Sequence, residues 1–212
     1  MSKFAILLGG DVTPTPRLMR QLDGARVIAA DAGMEHAKVL QLVPELWVGD
    51  FDSTSRELAD HWHNVPKQKH PVDKDASDGE LAVSEALRRG ATNLLLVGGF
   101  GGQLDHVLAH CGFLVALAKR EVESLMTSGL EEARGLTSHL QFTDLKKGTR
   151  LSIMPMTDLV GLDISGVKWP LKNKTVKLGT AFTLANVVEG KVEINLRAGQ
   201  ALALTYPGFA HG

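Results

Sequence analysis

The chain of 212 residues carries 23 Lys and Arg against 24 Asp and Glu, a formal net charge of −1, with 44% hydrophobic and 22% charged residues. That is an ordinary globular composition, long enough for one large domain or two small ones, with no basic surface for nucleic acid and no polybasic membrane patch. The single cysteine, Cys111, excludes an internal disulfide and Cys-based zinc sites and suits a reducing cytoplasm.

In chain order, Phe4 to Leu8 reads as a buried strand, too short for a signal segment or a membrane span, ending at Gly9-Gly10. Backbone amides at such a turn can approach an anion. Pro14 to Leu22 reads as a loop and short helix, and Arg26 to Ala30 as a second strand with Asp31-Ala32-Gly33 at its end. Met34 to Leu42 carries helical spacing and closes before Pro44. Leu46-Trp47-Val48 is a third strand, leading into Gly49-Asp50-Phe51-Asp52-Ser53 and a polar helix from Ser55. His61 to His70 gives only a weak strand signal. Asp73 to Glu80 then precedes a helix whose apolar stripe stops at Gly90. Leu94 to Val97 is the clearest buried strand. It runs into Gly98-Gly99-Phe100-Gly101-Gly102 and a helix from Leu104 to Lys119, on which Leu104, Val107, Leu108, Cys111, Leu114, Val115 and Ala118 form a broad apolar face. Glu121 to Met126 follows as a strand.

Short strands alternating with helices predict an α/β N-terminal domain with a parallel, doubly wound, Rossmann-like sheet over residues 1–130. From about Leu136 the pattern changes to short alternating runs at 140–142, 150–154, 159–164, 181–184, 192–196 and 201–206, separated by Lys-Gly, Ser-Gly, Leu-Gly and Glu-Gly turns. This predicts an all-β C-terminal domain, sandwich or barrel, over 136–212, with a linker near Thr127 to Gly135.

Ligands of such parallel sheets bind outside the carboxyl ends of the strands. Gly10, Asp31, Asp50, Asp52 and the glycine loop all fall there. Ten of the thirteen aspartates lie within the first 105 residues, so acidic chemistry belongs to the first half. Asp50 and Asp52, two apart at a strand end, point the same way if the chain stays extended. On its own this pair reads as a solvated turn; with the other aspartates and the glycine loop it suits a hard cation such as Mg²⁺ beside phosphates. Asp75 and Asp78 share one face at a helix start. Ser77 and Glu80 already form a capping box, so capping does not require both aspartates. Lys74 beside them reads alone as a solvated lysine, and in a phosphate site as a neutraliser or a phosphate contact. Asp105 lies in the first helical turn after four glycines in five residues, a loop suited to phosphates at a helix N-terminus. The spacing is neither a dinucleotide fingerprint nor a Walker loop. His106 and His110 have helical zinc spacing but no third soft ligand, which favours a structural or surface role. No nucleophile elbow supports a Ser/His/Asp triad. Five aspartates at one sheet edge are tolerable together with metal ions and a polyphosphate, which predicts Mg²⁺-dependent nucleotide chemistry.

On Asp31-Ala32-Gly33, Gly49 to Ser53, Lys74 to Asp78, Gly101 to His106, Gly166 to Leu171, Leu178 to Thr180 and Ala185-Asn186, the chain resembles the thiamine pyrophosphokinase family, over nearly its whole length and in order. The resemblance implies an α/β catalytic domain, a C-terminal β-sandwich and a homodimer holding thiamine between the catalytic domain of one subunit and the sandwich of the other. It implies transfer of the β,γ-pyrophosphate of ATP to the hydroxyethyl oxygen of thiamine, releasing AMP. Asp50, Asp52, Asp75, Asp78 and Asp105 would hold Mg²⁺ and order the phosphates. Gly10, Asp31, Gly33, Ser53, Lys74, Ser77, Gly101, Gly102 and Gln103 would line the nucleotide, and Trp169, Ala185 and Asn186 the acceptor. Gln103 stands where the family commonly has Arg, and Ala185 where it has Ser, which removes one hydroxyl from the acceptor side. Rival readings are a pyrophosphokinase for another hydroxymethyl heterocycle, such as a pterin, and a non-catalytic nucleotide or thiamine-phosphate sensor.

Overall fold

The computed structural model describes residues 2–52, 54–70 and 77–209. Asp75, Lys74 and Ser53 lie outside them. The chain divides into two compact units, one of residues 1–107 and 126–129, the other of 108–125 and 130–212.

In the first unit, β1 (Lys3–Leu7) pairs in parallel with β2 (Arg26–Ala30) on one side and β5 (Asn93–Val97) on the other. β2 continues in parallel to β3 (Leu46–Gly49), and β3 to β4 (Lys67–Lys69). The chain therefore works outward from β1 to β4 and returns to the opposite side of β1 with β5. β6 (Glu123–Thr127) ends in this unit, where the Gly98 amide donates to the Thr127 carbonyl at 3.0 Å. Phe4, Ala5, Ile6, Leu7, Leu94 and Val97 are fully buried, as continuous apolar strands covered on both faces should be.

Local capping residues start three of the helices. Pro16 opens α1 (Pro16–Leu22) and Thr15 caps it, its hydroxyl accepting from the Leu18 amide. Ser55 caps α3 (Arg56–His61) in the same way. Ser77 and Glu80 form the expected reciprocal capping box on α4 (Asp78–Arg88), which stops before Gly90 at φ 84°. The expected helix at Met34 is a tight 3₁₀ turn over Asp31–Met34 followed by α2 (Glu35–Val39). α5 runs over Leu104–Lys119 as expected. Its apolar face is narrower than the spacing suggests: Cys111, Leu114, Val115 and Leu117 are buried, while Leu104 and Leu108 are exposed.

The far end of α4 is fixed by an ion-pair chain. Glu85 takes hydrogen bonds from Arg88 and Arg89, Arg89 reaches Glu45 at 2.6 Å, and Glu45 is bidentate to Arg26 at 2.7 and 2.8 Å. The Arg88 bond, working against burial and helped by Arg89, pulls the Glu85 carboxyl from 4.5 to about 2. A lowered folded-state pKa contributes stability above the unfolded value, lost as pH falls from 4.5 towards 2. Glu85→Gln is expected to lose about 2 kcal/mol at pH 7. That deficit should shrink as pH falls through this window, read from urea midpoints at pH 7 and pH 3.

The second unit is antiparallel. β7 (Glu132–Leu136) pairs with β13 (Ala201–Thr205), β13 with β9 (Arg150–Pro155), and β9 with the start of β12 (Asn186–Ala198). The rest of β12 pairs with β10 (Leu159–Val167) and β8 (His139–Phe142), and β10 with the edge strand β11 (Leu171–Val176). Leu136, Phe142, Leu151, Ile153, Leu162, Ile164, Val192 and Ile194 are among its core. β7 occupies part of the stretch expected as a linker. Residues 181–184 form a turn rather than a strand, tied to β9 where the Thr183 hydroxyl donates to the Ile153 carbonyl at 2.6 Å. β11 lacks alternation because it is an edge strand with exposed Lys172 and Lys174, charges that discourage further pairing.

Candidate active site

The reversal of strand order between β1 and β5 brings two loops together. The Gly10 amide donates to the Gly98 carbonyl at 2.9 Å and the Asp11 amide to the Phe100 carbonyl at 2.6 Å. Gly10 has no room for a side chain: a Cβ would overlap the Phe100 carbonyl oxygen and come within 2.6 Å of that of Gly98. A Cβ on Gly33 would likewise strike the Leu7 carbonyl. Both glycines, expected at the nucleotide, also let the protein's own backbone pack closely. Gly102 differs. At φ 70° a Cβ there would meet nothing within 4 Å, so its face is open to a ligand. Gly101 is covered by the Asp11 carboxylate, and His36 Nε2 donates to the Gly10 carbonyl at 2.8 Å. Asp11 and His36 carry no motif signal; their proximity to the loop is set by strand order alone.

The acidic set gathers one strand further out. Asp31 begins its turn at φ 42°, and its carboxylate lies over Gly49 at 3.3 Å from where a Cβ would stand. Trp47 Nε1 donates to the Asp31 carbonyl at 2.9 Å. Beyond Gly49 the chain does not stay extended. Asp50 accepts from the Asp52 amide at 3.1 Å, with Phe51 between them at φ 65°. This Asx-type turn replaces the extended pair expected from the spacing, because a left-handed residue between the two aspartates reverses the backbone. A left-handed Phe costs on the order of 1–2 kcal/mol. Its ring is held edge-on to Trp47 at 5.1 Å, with the Lys67 ammonium over both rings.

Burial pushes the Asp31 carboxyl up from 3.8, and the charges of Asp78, Asp50 and Asp52 push it further, against the Ala32 amide that lowers it. The charges of Asp50 and Asp52 after β3 and of Asp78 at the start of α4 thus all act on Asp31, just after β2. Ser77 is spent on capping Glu80, which leaves Asp78 clear of that task. Asp105 makes a separate contact: it is exposed and accepts from the His106 amide at 3.0 Å beside the glycine loop, where Gln103 is also exposed. Among the described residues, no three His, Cys, Asp or Glu stand at metal-holding distance. The donor set nevertheless fits Mg²⁺ by type, since it is all carboxylate oxygen.

In the second unit Trp169 is 54% exposed, with the Lys168 ammonium 4.8 Å over its ring. Asn186 is buried and clamps it: Nδ2 donates to the Trp169 carbonyl at 2.8 Å, and Oδ1 accepts from the Trp169 and Val187 amides at 3.1 and 2.9 Å. Ala185 sits at φ 60° with its amide donating to the Ser152 hydroxyl at 3.0 Å. Asn186 therefore positions Trp169 through one donor and its carbonyl oxygen.

A parallel sheet with acidic loops at its carboxyl ends and a glycine loop at the strand-order reversal is the arrangement of nucleotide-handling α/β proteins. The comparisons narrow that class. The family description "Thiamin pyrophosphokinase, catalytic domain" matches residues 21–126, and "Thiamin pyrophosphokinase, vitamin B1 binding domain" matches 138–200. The thiamine pyrophosphokinase of Bacillus subtilis (strain 168) is 24% identical over 198 residues, covering 88% of this chain and 89% of that one. The crystal structure of thiamine pyrophosphokinase from Bacillus subtilis superposes with a TM-score of 0.88 at 20% identity, covering 98% and 100% of the two chains. That of yeast gives 0.78 at 15% identity, covering 97% and 86%. The chain belongs to the thiamin pyrophosphokinase family.

Proposed function

We propose that the chain transfers the β,γ-pyrophosphate of ATP to the hydroxyl of thiamine, giving thiamine diphosphate and AMP. The observation that carries this reading is the match of the chain's two parts to the family's catalytic and vitamin B1 binding domains, with the Asp31 carboxylate lying over Gly49 beside the Asp50 turn. Its finer features follow: the parallel unit is Rossmann-like, the antiparallel unit is a β-sandwich, and the working form is a cytoplasmic homodimer with thiamine held at the subunit interface.

Asp50, Asp52, Asp75, Asp78 and Asp105 hold Mg²⁺ in this reading, with Asp31 supporting the set and Lys74, Ser53, Gly101, Gly102 and Gln103 lining the phosphates. Mg²⁺, when bound, offsets the negative charge of the triphosphate. The chain's own residues orient the donor, and the open face of Gly102 admits it closely. The thiamine hydroxyl oxygen bonds to the β-phosphorus, the bond from that phosphorus to the α,β-bridging oxygen breaks, and AMP leaves with that oxygen. One carboxylate of the set accepts the hydroxyl proton. Trp169 offers its exposed ring to the acceptor heterocycle. Trp169→Ala is expected to raise the KM for thiamine by about 10- to 100-fold, the range of aromatic stacking, with the melting temperature unchanged.

Steady-state AMP release with Mg-ATP and either thiamine or a hydroxymethylpterin tests the acceptor. Turnover with thiamine alone supports the reading; turnover with the pterin alone contradicts it.

A further inference from the structure

Just past their ends, β2 and β3 each turn through a left-handed residue that is not glycine, Asp31 at φ 42° and Phe51 at φ 65°. Such residues are uncommon and persist where the surrounding structure holds them. One side chain reaches both. Trp47 is fully buried on β3; its Nε1 donates to the Asp31 carbonyl at 2.9 Å, and its ring meets that of Phe51 edge-on at 5.1 Å. Lys67 pairs with Trp47 in the β3–β4 register and sets its ammonium 4.9 Å over the Trp47 ring and 5.5 Å over that of Phe51. We propose that Trp47 and Lys67 are positioning residues that clamp the Asp31 turn to the Asp50–Asp52 turn, an inference that rests on the function proposed above.

The partners set this apart from ordinary core packing. A buried indole N–H is satisfied by any backbone acceptor within reach. Here the acceptor belongs to Asp31, whose carboxylate lies over Gly49, and the ring partner is the residue between Asp50 and Asp52. A shift of Trp47 would therefore move three carboxylates together without altering any of them. Misplacement of about 1 Å at a reacting centre can cost on the order of 100-fold in rate. Lys67 closes the clamp from β4, because a cation is drawn to the negative faces of both rings and so holds Phe51 against Trp47. It is exposed, so its charge can be removed without opening the core.

Lys67→Met keeps an apolar stem beside the rings and removes the charge, whereas Lys67→Arg keeps a cation that also stacks on ring faces. Steady-state AMP release and ¹H–¹⁵N spectra of the full chain test the clamp, with thermal melting as the check on folding. The Trp47 indole signal is assigned by elimination in Trp62→Phe and Trp169→Phe, the chain having three tryptophans. Lys67→Met is expected to lower kcat and to speed solvent exchange of the Trp47 indole proton, each by about 3- to 10-fold, the scale of one cation over two ring faces. The KM for thiamine should stay near wild type, and Lys67→Arg should restore both values. Unchanged kcat in a folded Lys67→Met protein would overturn the positioning role, as would equal losses in the Met and Arg variants. A raised KM for Mg-ATP with unchanged indole exchange would put Lys67 on the phosphates and overturn the clamp. If wild type itself forms no thiamine diphosphate, the proposed function fails, and indole exchange alone then decides whether the clamp stands.

Discussion

Asp50→Asn is expected to lower AMP release by about 10²- to 10³-fold, the scale of removing one preorganised electrostatic group from a phosphoryl-transfer site, while the fold is retained or slightly stabilised. The substitution isolates charge. Asn keeps the side-chain oxygen that accepts from the Asp52 amide, so the turn through Phe51 survives. The lost negative charge is one of those that raise the Asp31 carboxyl. An acid whose folded pKa is raised binds its proton more tightly folded than unfolded. Stability therefore falls as pH rises from 3.8 through the folded value and stays lower above it. Removing the Asp50 charge reduces that penalty, so the melting temperature at pH 7 should not drop. Turnover and melting measured on the same sample check the pairing. Near-normal turnover would contradict the metal role of this carboxylate.

Gly10→Ala is expected to act in the opposite way, costing about 3 kcal/mol or more of stability through overpacking. The added methyl would overlap the Phe100 carbonyl and crowd that of Gly98, both backbone atoms with little room to yield. The two loops would part where β1 and β5 meet, breaking the Gly10–Gly98 and Asp11–Phe100 hydrogen bonds and shifting the His36 anchor. A urea midpoint unchanged from wild type would contradict this account of Gly10. Gly102→Ala is the natural control, since its methyl would meet open space and only the backbone at φ 70° would be strained.

Sequence alone reveals what short-range chemistry decides. Strand β2 follows from one apolar run, the capping box of α4 from Ser77 and Glu80, and the span of α5 from its glycine entry and apolar spacing. Features set by tertiary pairing are not visible there. β11 has exposed polar residues at an edge, and only its neighbour β10 makes it a strand. The 181–184 run alternates like a strand but turns, because Thr183 bonds to Ile153 and Ala185 adopts a left-handed backbone. At the site, aspartates 31, 50, 52 and 78 are readable by residue type. Their common field on Asp31 arises from the order of β2 and β3 and the start of α4, which no local pattern encodes. The same holds for Asn186: its position is legible, but its use in clamping Trp169 needs the contact between β12 and the turn before β11.

The most direct test of the account is the fate of label from ATP carrying ³²P at either the β or the γ position, incubated with Mg²⁺ and thiamine. Transfer of both labels to thiamine diphosphate, with one AMP formed per product, is the predicted result. Transfer of the γ label alone with release of ADP, or no labelled thiamine product from either donor, would contradict it.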